Sequence, residues 1–296
     1  LYPRRTLAND PVLEEIVNHE NWTRALSVAI DREEINQSLF YGQARMGQHA
    51  PFPQSKYFKE SYGTAWAQYD PDLANEMLDE MGLTERDGEG YRLRPDGQTL
   101  SYAIEHAGIR VGASVHEFTE MVTTYWREIG IDATTKEIDN ALYGERMQAN
   151  EVECGIWHAD RCTDMLLPIQ MQWYVPVGGN SQGNVSTAWQ QWYVAEDKEA
   201  EGIITPQEEI QQLFAWVDEM RAVIDDDERV AIGQKIFDYL ADKPLAIAVV
   251  LESPCPLLFN KNMRNMPRPK VPIGWDSYGI NTYHPAALFY EGGQRA

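Results

Sequence analysis

The sequence predicts an α/β fold in which helices flank a mixed sheet. Segments with helical apolar spacing alternate with short apolar segments: a helix at 113–129 precedes a strand at 131–138, and a helix at 142–150 precedes a strand at 153–158. The 296 residues can bury the core of one large or two medium domains. Hydrophobic residues make up 43% and charged residues 24%, a globular composition that excludes disordered and low-complexity classes.

Helix signals dominate the first part of the chain. Residues 10–41 are predicted to form two or three short helices, which end at Gly42. Pro11 occupies a first-turn position, and Asp31 occupies a helix N-cap. Glycine, proline, serine and tyrosine are frequent in 43–68, which predicts a long ordered loop there.

The next signals predict a helix and a hairpin. The helix begins at Asp70, carries Pro71 in its first position and ends at Gly82. The turn Pro-Asp-Gly at 95–97 joins alternating segments within 91–105, and Asp-Gly between such segments predicts a β-hairpin.

The remainder of the chain is less regular. Residues 160–201 show no regular period, yet tryptophans lie there among glycines and side-chain amides, and ordered loops of this length are often functional. Two long amphipathic helices are predicted at 206–224 and 227–242, followed by a buried strand at 245–251. Beyond Ser253, frequent prolines predict little regular structure.

Charge and hydropathy limit the classes of partner. The net charge of −21 would repel a phosphate backbone or an anionic membrane surface, so we expect no nucleic-acid partner. The longest apolar run, 245–251, is far shorter than the about 20 residues that span a bilayer. Residues 1–9 show no charged region followed by an apolar stretch, so no signal peptide is expected within this sequence.

Catalytic and metal-binding motifs are not found in the sequence. Cys154, Cys162 and Cys255 are predicted to be small buried hydrophobes, with a Cys154–Cys162 disulfide as the alternative. The six histidines show no His-Glu-x-x-His spacing, and there is no Gly-x-Ser-x-Gly, P-loop or dinucleotide motif. We therefore expect no catalytic residues, no metal ligands and no cofactor.

Four stretches in the same order along the chain carry a resemblance to a known family. They are 24–35 with Gly42 and Pro51 after it, the helix entry 69–71 with Ala74, Leu78 and Gly82, the helix-strand junction 126–131, and Trp157-His158-Ala159-Asp160. Together they resemble family 5 extracytoplasmic solute-binding proteins, the peptide- and nickel-binding subunits of ABC importers.

That resemblance implies more than the residues alone. Members of the family are longer and two-lobed, so it implies the C-terminal lobe of a type II-like, Venus-flytrap periplasmic binding protein. Residues 1–253 would be the ligand-binding lobe, and 254–296 would return to an N-terminal lobe that this sequence lacks. The implied function is to capture a peptide or short oligosaccharide by lobe closure and to deliver it to an ABC permease in the membrane. The implied location is periplasmic or extracytoplasmic, associated with the membrane through that permease.

The resemblance also assigns a charged contact. In peptide-binding relatives, the aspartate of the Trp-x-Ala-Asp stretch receives the α-ammonium group of the ligand, which gives that role to Asp160. A charge-assisted hydrogen bond in a closed cleft contributes about 2 kcal/mol. Here Arg161 follows, and Cys-Thr-Asp at 162–164 replaces the acidic-Pro continuation of several peptide binders. If Arg161 or Arg110 neutralises Asp160, the carboxylate would instead accept hydroxyl hydrogen bonds from a sugar; a structural carboxylate that caps a turn is the third alternative.

Aromatic residues complete the candidate site. Rings within 160–201 either stack on a ligand, as in oligosaccharide-binding members of the family, or anchor this segment to the domain. Trp126 and Trp216 lie at helical spacing and are predicted to be core residues. The predicted ligand-binding residues are Asp160, Trp157, His158, Arg161, Trp173 and Trp189.

Two other functional classes stay open at this point. A carbohydrate-active enzyme would need two carboxyl groups about 5 to 10 Å apart across a cleft. A protein-interaction module would dock its apolar C-terminal surface on another protein.

Overall fold

The computed structural model describes residues 1–108, 113–158, 164, 166–178, 183–253, 260–265 and 288–291. The strands are β1 (Tyr2–Pro3), β2 (Arg45–Met46), β3 (Ser101–His106), β4 (Asp132–Glu137), β5 (Cys154–Gly155), β6 (Val250–Leu251), β7 (Met263–Arg264) and β8 (Phe289–Tyr290). The helices are α1 (Pro11–Asn18), α2 (Glu20–Val28), α3 (Arg32–Phe40), α4 (Glu60–Thr64), α5 (Pro71–Glu80), α6 (Val115–Glu128), α7 (Asn140–Gln148), α8 (Thr187–Val194), α9 (Glu208–Ala222) and α10 (Asp226–Asp242), with a 3₁₀ turn at Met171–Trp173.

A mixed sheet with strand order β1-β5-β3-β4 forms the centre of the fold, which confirms the predicted fold class. β3 pairs in parallel with β4 and β5, whereas β1 is antiparallel to β5. The parallel register places His106 opposite Glu137 at the carboxyl ends of their strands. Because α6 connects β3 to β4, its first turn lies close to these same strand ends.

Local capping signals define the helices as predicted. The side chain of Asp31 accepts a hydrogen bond from Glu34 N at the start of α3, and Asp70 does the same for Leu73 N at the start of α5. Gly130 follows α6 with a φ of 89°, a conformation that a residue with a Cβ rarely adopts. The short helices predicted within 10–41 and the two long helices near the end are likewise confirmed as α1 to α3 and α9 to α10.

The predicted hairpin is only partly formed. Leu93 and Thr99 form an isolated antiparallel bridge across the turn at 95–97. The segment that follows becomes β3, which pairs in parallel with its neighbours instead of folding back on 91–93. Tyr102 and Ile104 lie on one face of β3 and are buried in the core, so this strand belongs in the centre of the sheet.

Two segments are more regular than predicted, and one is less so. The long loop predicted at 43–68 contains β2 and α4, and the segment 160–201 contains the 3₁₀ turn and α8. The Ser186 hydroxyl caps α8 by accepting from Trp189 N. The strand predicted at 245–251 forms a ladder only in β6, which pairs antiparallel with β2.

Two hydrophobic clusters form the core. The first packs α1, α2, α3, α5 and α6 around the sheet, and it includes Trp22, Leu26, Ile35, Leu78, Tyr102, Ile104 and Trp126. The second packs α9 and α10 against the segment that contains α8, and it includes Tyr57, Trp173, Trp189, Phe214, Met220, Ile236 and Phe237. The core position predicted for Trp126 is confirmed, whereas Trp216 is half-buried against the second cluster. Across the described part of the chain, every helix is too short or too polar to cross a membrane.

The close packing of Tyr57 on α10 gives a first prediction. A Cβ on Gly233 would lie 2.5 Å from two carbon atoms of the Tyr57 ring. We expect Gly233→Ala to lower the free energy of unfolding by about 1–3 kcal/mol, since the ring has to shift by more than a buried core tolerates. Gly144→Ala in α7, where no atom lies within 4 Å, is the control and should raise that free energy by about 0.5–1 kcal/mol. Urea unfolding followed by circular dichroism measures both, and effects of the same sign would contradict the prediction.

Candidate functional site

A cavity of about 260 Å³ lies beside the carboxyl ends of β3 and β5. The extended segment 246–253 forms one wall, Ile156 to His158 form a second, and 113–115 with Phe118 at the start of α6 form a third. Ligands in α/β proteins bind at the carboxyl ends of parallel strands, so this is the expected position for a binding site.

The wall at 246–253 is held by side chains. Leu245, Ile247 and Val249 are buried, whereas Ala248 is half-buried, and every residue of 246–253 lines the cavity. The side-chain oxygen of Gln48 accepts from Ala248 N at 3.0 Å, and Arg32 Nη2 donates to Ala248 O at 3.0 Å. These two buried side chains satisfy the backbone of Ala248, while Ile247 exchanges backbone hydrogen bonds with Leu1 and β6 pairs with β2.

Aromatic rings form the second wall. Trp157 and His158, which follow β5, are half-buried and line the cavity, and their contact with a ligand stays a prediction. The His158 ring lies 5.3 Å from the ring of Trp157 and 5.7 Å from that of Trp173, measured between centroids. The three rings therefore form one continuous aromatic surface, with Trp173 behind it at 5% exposure.

Trp189 lies apart from this aromatic surface. It is 4% exposed and belongs to the second hydrophobic cluster, in the first turns of α8. Such burial favours the alternative in which the ring anchors its segment to the domain. Asp160 and Arg161 fall outside the described residues, as do Arg110, Cys162 and Cys255, so their predicted roles stay predictions. Cys154 is buried, as predicted, and burial raises the pKa of its thiol to about 12.

His106, which the sequence does not predict as a site residue, also lines the cavity. The ring is fully buried at the end of β3, and burial lowers the pKa of its imidazole from the ordinary value. Its Nδ1 accepts a hydrogen bond from Gly108 N at 3.1 Å. One atom each from His106, His116 and Glu137 lie within 4.8 Å of one another. Spacing along the chain gives no sign of this group, because its members come from three different elements.

The described cavity lining does not offer an acid-base pair. Glu252 is the one carboxylate among those residues, and its Oε1 lies 2.9 Å from Nη2 of Arg45. A glycosidase needs two facing carboxyl groups. Among the described lining residues, Glu252 therefore has no second carboxyl group facing it.

Solved structures with the same fold include proteins named for a peptide or bound to an oligosaccharide. An oligopeptide-binding protein OppA is 28% identical, with a TM-score of 0.74 over 84% of this chain and 40% of that one. The periplasmic binding protein MelB from Agrobacterium fabrum, in complex with stachyose, is 13% identical, with a TM-score of 0.64 over 84% of this chain and 37% of that one. A mannohexaose-bound periplasmic oligopeptide-binding protein from Thermotoga maritima is 19% identical, with a TM-score of 0.59 over 80% and 42% of the two chains. The chain thus spans less than half the length of each.

The sequence comparison identifies the family. No curated protein matches the chain. The sequence profile of bacterial extracellular solute-binding proteins, family 5 (middle region), matches residues 8–173, which is more than half of the chain. Proteins of this family bind solutes and are not enzymes, so the expectation that the chain is not an enzyme is confirmed. The chain belongs to the family 5 bacterial extracellular solute-binding proteins.

Proposed function

We propose that the chain is the C-terminal, solute-contacting lobe of an ABC-importer receptor. In this proposal the receptor captures a peptide or short oligosaccharide by closing a second lobe over it, and then delivers it to a permease in the membrane. Residues 1–253 form the ligand-binding lobe, and 254–296 return toward the second lobe. The observation that carries the proposal is the cavity at the strand ends with Trp157 and His158 in its wall.

The chemistry of the cavity suits a chain-like solute. Flat rings at Trp157 and His158 stack on a sugar ring or on an apolar peptide side chain, and the aliphatic wall around Ala248 excludes water from the other side. Asp160 and Arg161 follow His158 by only two and three residues. We assign them the charged contacts: Asp160 receives a peptide α-ammonium group, or accepts sugar hydroxyl groups if Arg161 neutralises it.

Lobe closure makes binding depend on both lobes. A ligand shifts the open-closed equilibrium only by the difference between its affinities for the two states. The contacts that one lobe makes with the ligand provide only part of this difference in affinity between the closed and open states. We therefore expect weak or undetectable solute binding by this chain, and measurable binding by a longer receptor that carries both lobes.

A thermal-shift screen distinguishes the two solute classes. Di- to pentapeptides and α- and β-linked oligosaccharides are added separately to the two-lobed receptor and to this chain. We expect one class alone to raise the melting midpoint of the receptor, since a ligand that binds only the native state stabilises it. If neither class raises the midpoint, or if both proteins bind a solute with equal affinity by calorimetry, the proposal is wrong.

Trp157→Ala tests the aromatic wall directly. Loss of a stacked ring costs about 1 kcal/mol of binding free energy. In the two-lobed receptor, we therefore expect the dissociation constant of the solute identified in the screen to rise about five- to tenfold. Trp216→Ala, which removes a half-buried ring outside the cavity lining, is the matched control and should leave it unchanged. Calorimetry measures both variants, and equal affinities for wild type and Trp157→Ala would remove this ring from the site.

A further inference from the structure

Three side chains of metal-binding type meet at the rim of the cavity. His106 ends β3, Glu137 ends β4 and His116 lies in the first turn of α6. One atom of each lies within 4.8 Å of the others. The parallel register sets His106 beside Glu137, and the crossover brings α6 over both strand ends. The topology of the sheet therefore places these three side chains together.

His106 provides an independent indication of a ligand. Its ring is fully buried, and Nε2 forms no hydrogen bond with the described residues. A buried polar atom without a partner costs free energy, so each such atom requires an explanation. Gly108 N donates to Nδ1, which places the proton of the neutral ring on Nε2. If Nδ1 coordinates the metal, the metal bond replaces the hydrogen bond from Gly108 N. If Nε2 coordinates it, the ring proton moves to Nδ1, which then no longer accepts from Gly108 N. In both cases one hydrogen bond is exchanged for one metal bond.

The other two side chains are exposed on a backbone that is held in place. Thr135 Oγ1 on β4 donates to Thr119 Oγ1 at 2.7 Å, and Thr119 Oγ1 donates to His116 O at 3.0 Å. This chain of hydrogen bonds fixes the first turn of α6 relative to β4. Glu137 leans over Gly108, where a Cβ would lie 2.4 Å from Glu137 Oε1. Both exposed side chains can therefore close on an ion without movement of the backbone.

We infer that His106, His116 and Glu137 form a binding site for a first-row divalent transition-metal ion. Two imidazoles and one carboxylate favour Zn²⁺ or Ni²⁺ over Ca²⁺ and Mg²⁺, which prefer oxygen ligands. Three protein ligands leave a fourth position for water or a solute group. With metal-ligand bonds of about 2.1 Å, tetrahedral ligand atoms lie about 3.4 Å apart, a separation that the exposed side chains of His116 and Glu137 reach by rotation. The inference does not rest on the proposed transport function.

Titration of the purified chain with ZnCl₂ and NiCl₂ in a calorimeter tests the site. We expect saturable binding of one ion per chain. Outer-shell substitutions at metal sites cost 10- to 100-fold in affinity, so loss of a ligand in His116→Ala or Glu137→Gln should weaken binding by at least about tenfold. The matched controls are His19→Ala, an exposed histidine between α1 and α2, and Glu117→Gln, the exposed neighbour of His116; both should bind as the wild type does.

Cobalt substitution reads the coordination itself. Co²⁺ bound by two imidazoles and a carboxylate should give visible absorption bands, and these bands should weaken in both ligand variants. Metal-free circular dichroism should show the same melting midpoint for the wild type, His116→Ala and Glu137→Gln, because the two substituted side chains are exposed. Failure of the wild type to bind either ion saturably, or equal affinities in His116→Ala and His19→Ala, would overturn the inference.

Discussion

Replacing Arg4 by alanine is expected to lower the free energy of unfolding by about 3–5 kcal/mol. The guanidinium is 0% exposed and joins three parts of the chain. Its Nη1 donates to Asn184 O at 2.6 Å, and its Nη2 lies 2.8 Å from Met147 O and 2.9 Å from both Asn150 Oδ1 and Thr187 Oγ1. Removing the side chain takes the guanidinium donor from Asn184 O and Thr187 Oγ1 and opens a cavity among these groups, whereas Met147 O and Asn150 Oδ1 keep hydrogen bonds from Thr187 and Thr6.

Two further variants separate hydrogen bonding from charge. Arg4→Lys keeps a positive charge but has no planar fork to reach both sides of the cluster, so we expect a loss of about 1–3 kcal/mol. Arg86→Ala is the control: this exposed arginine donates to Gly90 O at 2.7 Å and Asn75 Oδ1 at 3.2 Å, and its loss should cost less than about 1 kcal/mol. Urea unfolding gives all three values. A loss for Arg4→Ala no larger than that for Arg86→Ala would show that this cluster does not stabilise the fold.

The same cluster shows why part of the fold is predictable from sequence and part is not. Helix ends are determined by single residues that act on adjacent backbone, so the caps at Asp31 and Asp70 are visible in the sequence. Arg4 acts on residues far along the chain, and no local pattern shows them. The segment 245–251 is mispredicted for a related reason: its apolar run indicates a buried strand, but ladder pairing is confined to β6, and the side chains of Gln48 and Arg32 bind the backbone of Ala248.

Prediction of the site follows the same division. The sequence predicts Trp157 and His158 as ligand contacts because they directly follow a strand, and both lie in the wall of the cavity. Trp173, whose ring lies beside that of His158, belongs to a segment without regular apolar spacing. The sequence alone therefore does not distinguish a ring that stacks on a ligand from one that anchors the segment to the domain. The grouping of His106 with Glu137 depends on the parallel register of β3 and β4, whereas the turn at 95–97 indicated an antiparallel hairpin. An error in strand pairing therefore concealed this group of side chains.

Substitution of Trp126 by alanine is expected to lower the free energy of unfolding by about 3–5 kcal/mol. This ring is fully buried in the first hydrophobic cluster, and its Nε1 donates to Leu26 O on α2 at 3.0 Å. The centroid of its ring lies 5.8 Å from that of Tyr102, which in turn lies 5.1 Å from that of Trp22. The three rings join α6, β3 and α2, so the substitution leaves a cavity between the sheet and the helices that cover it.

The size of that effect depends on burial, and Trp216→Ala tests this dependence. Trp216 is half-buried against the second cluster, so replacing it by alanine should cost less than half as much free energy of unfolding.

A double-mutant cycle between Trp22→Ala and Trp126→Ala should show a coupling of about 0.5–1.5 kcal/mol, because both rings pack on Tyr102 and share the cavity that either loss creates. Strict additivity in urea unfolding would mean that each ring packs independently. In that case Tyr102 would not transmit the effect of one substitution to the other, and α2 and α6 would be attached to the sheet by separate contacts.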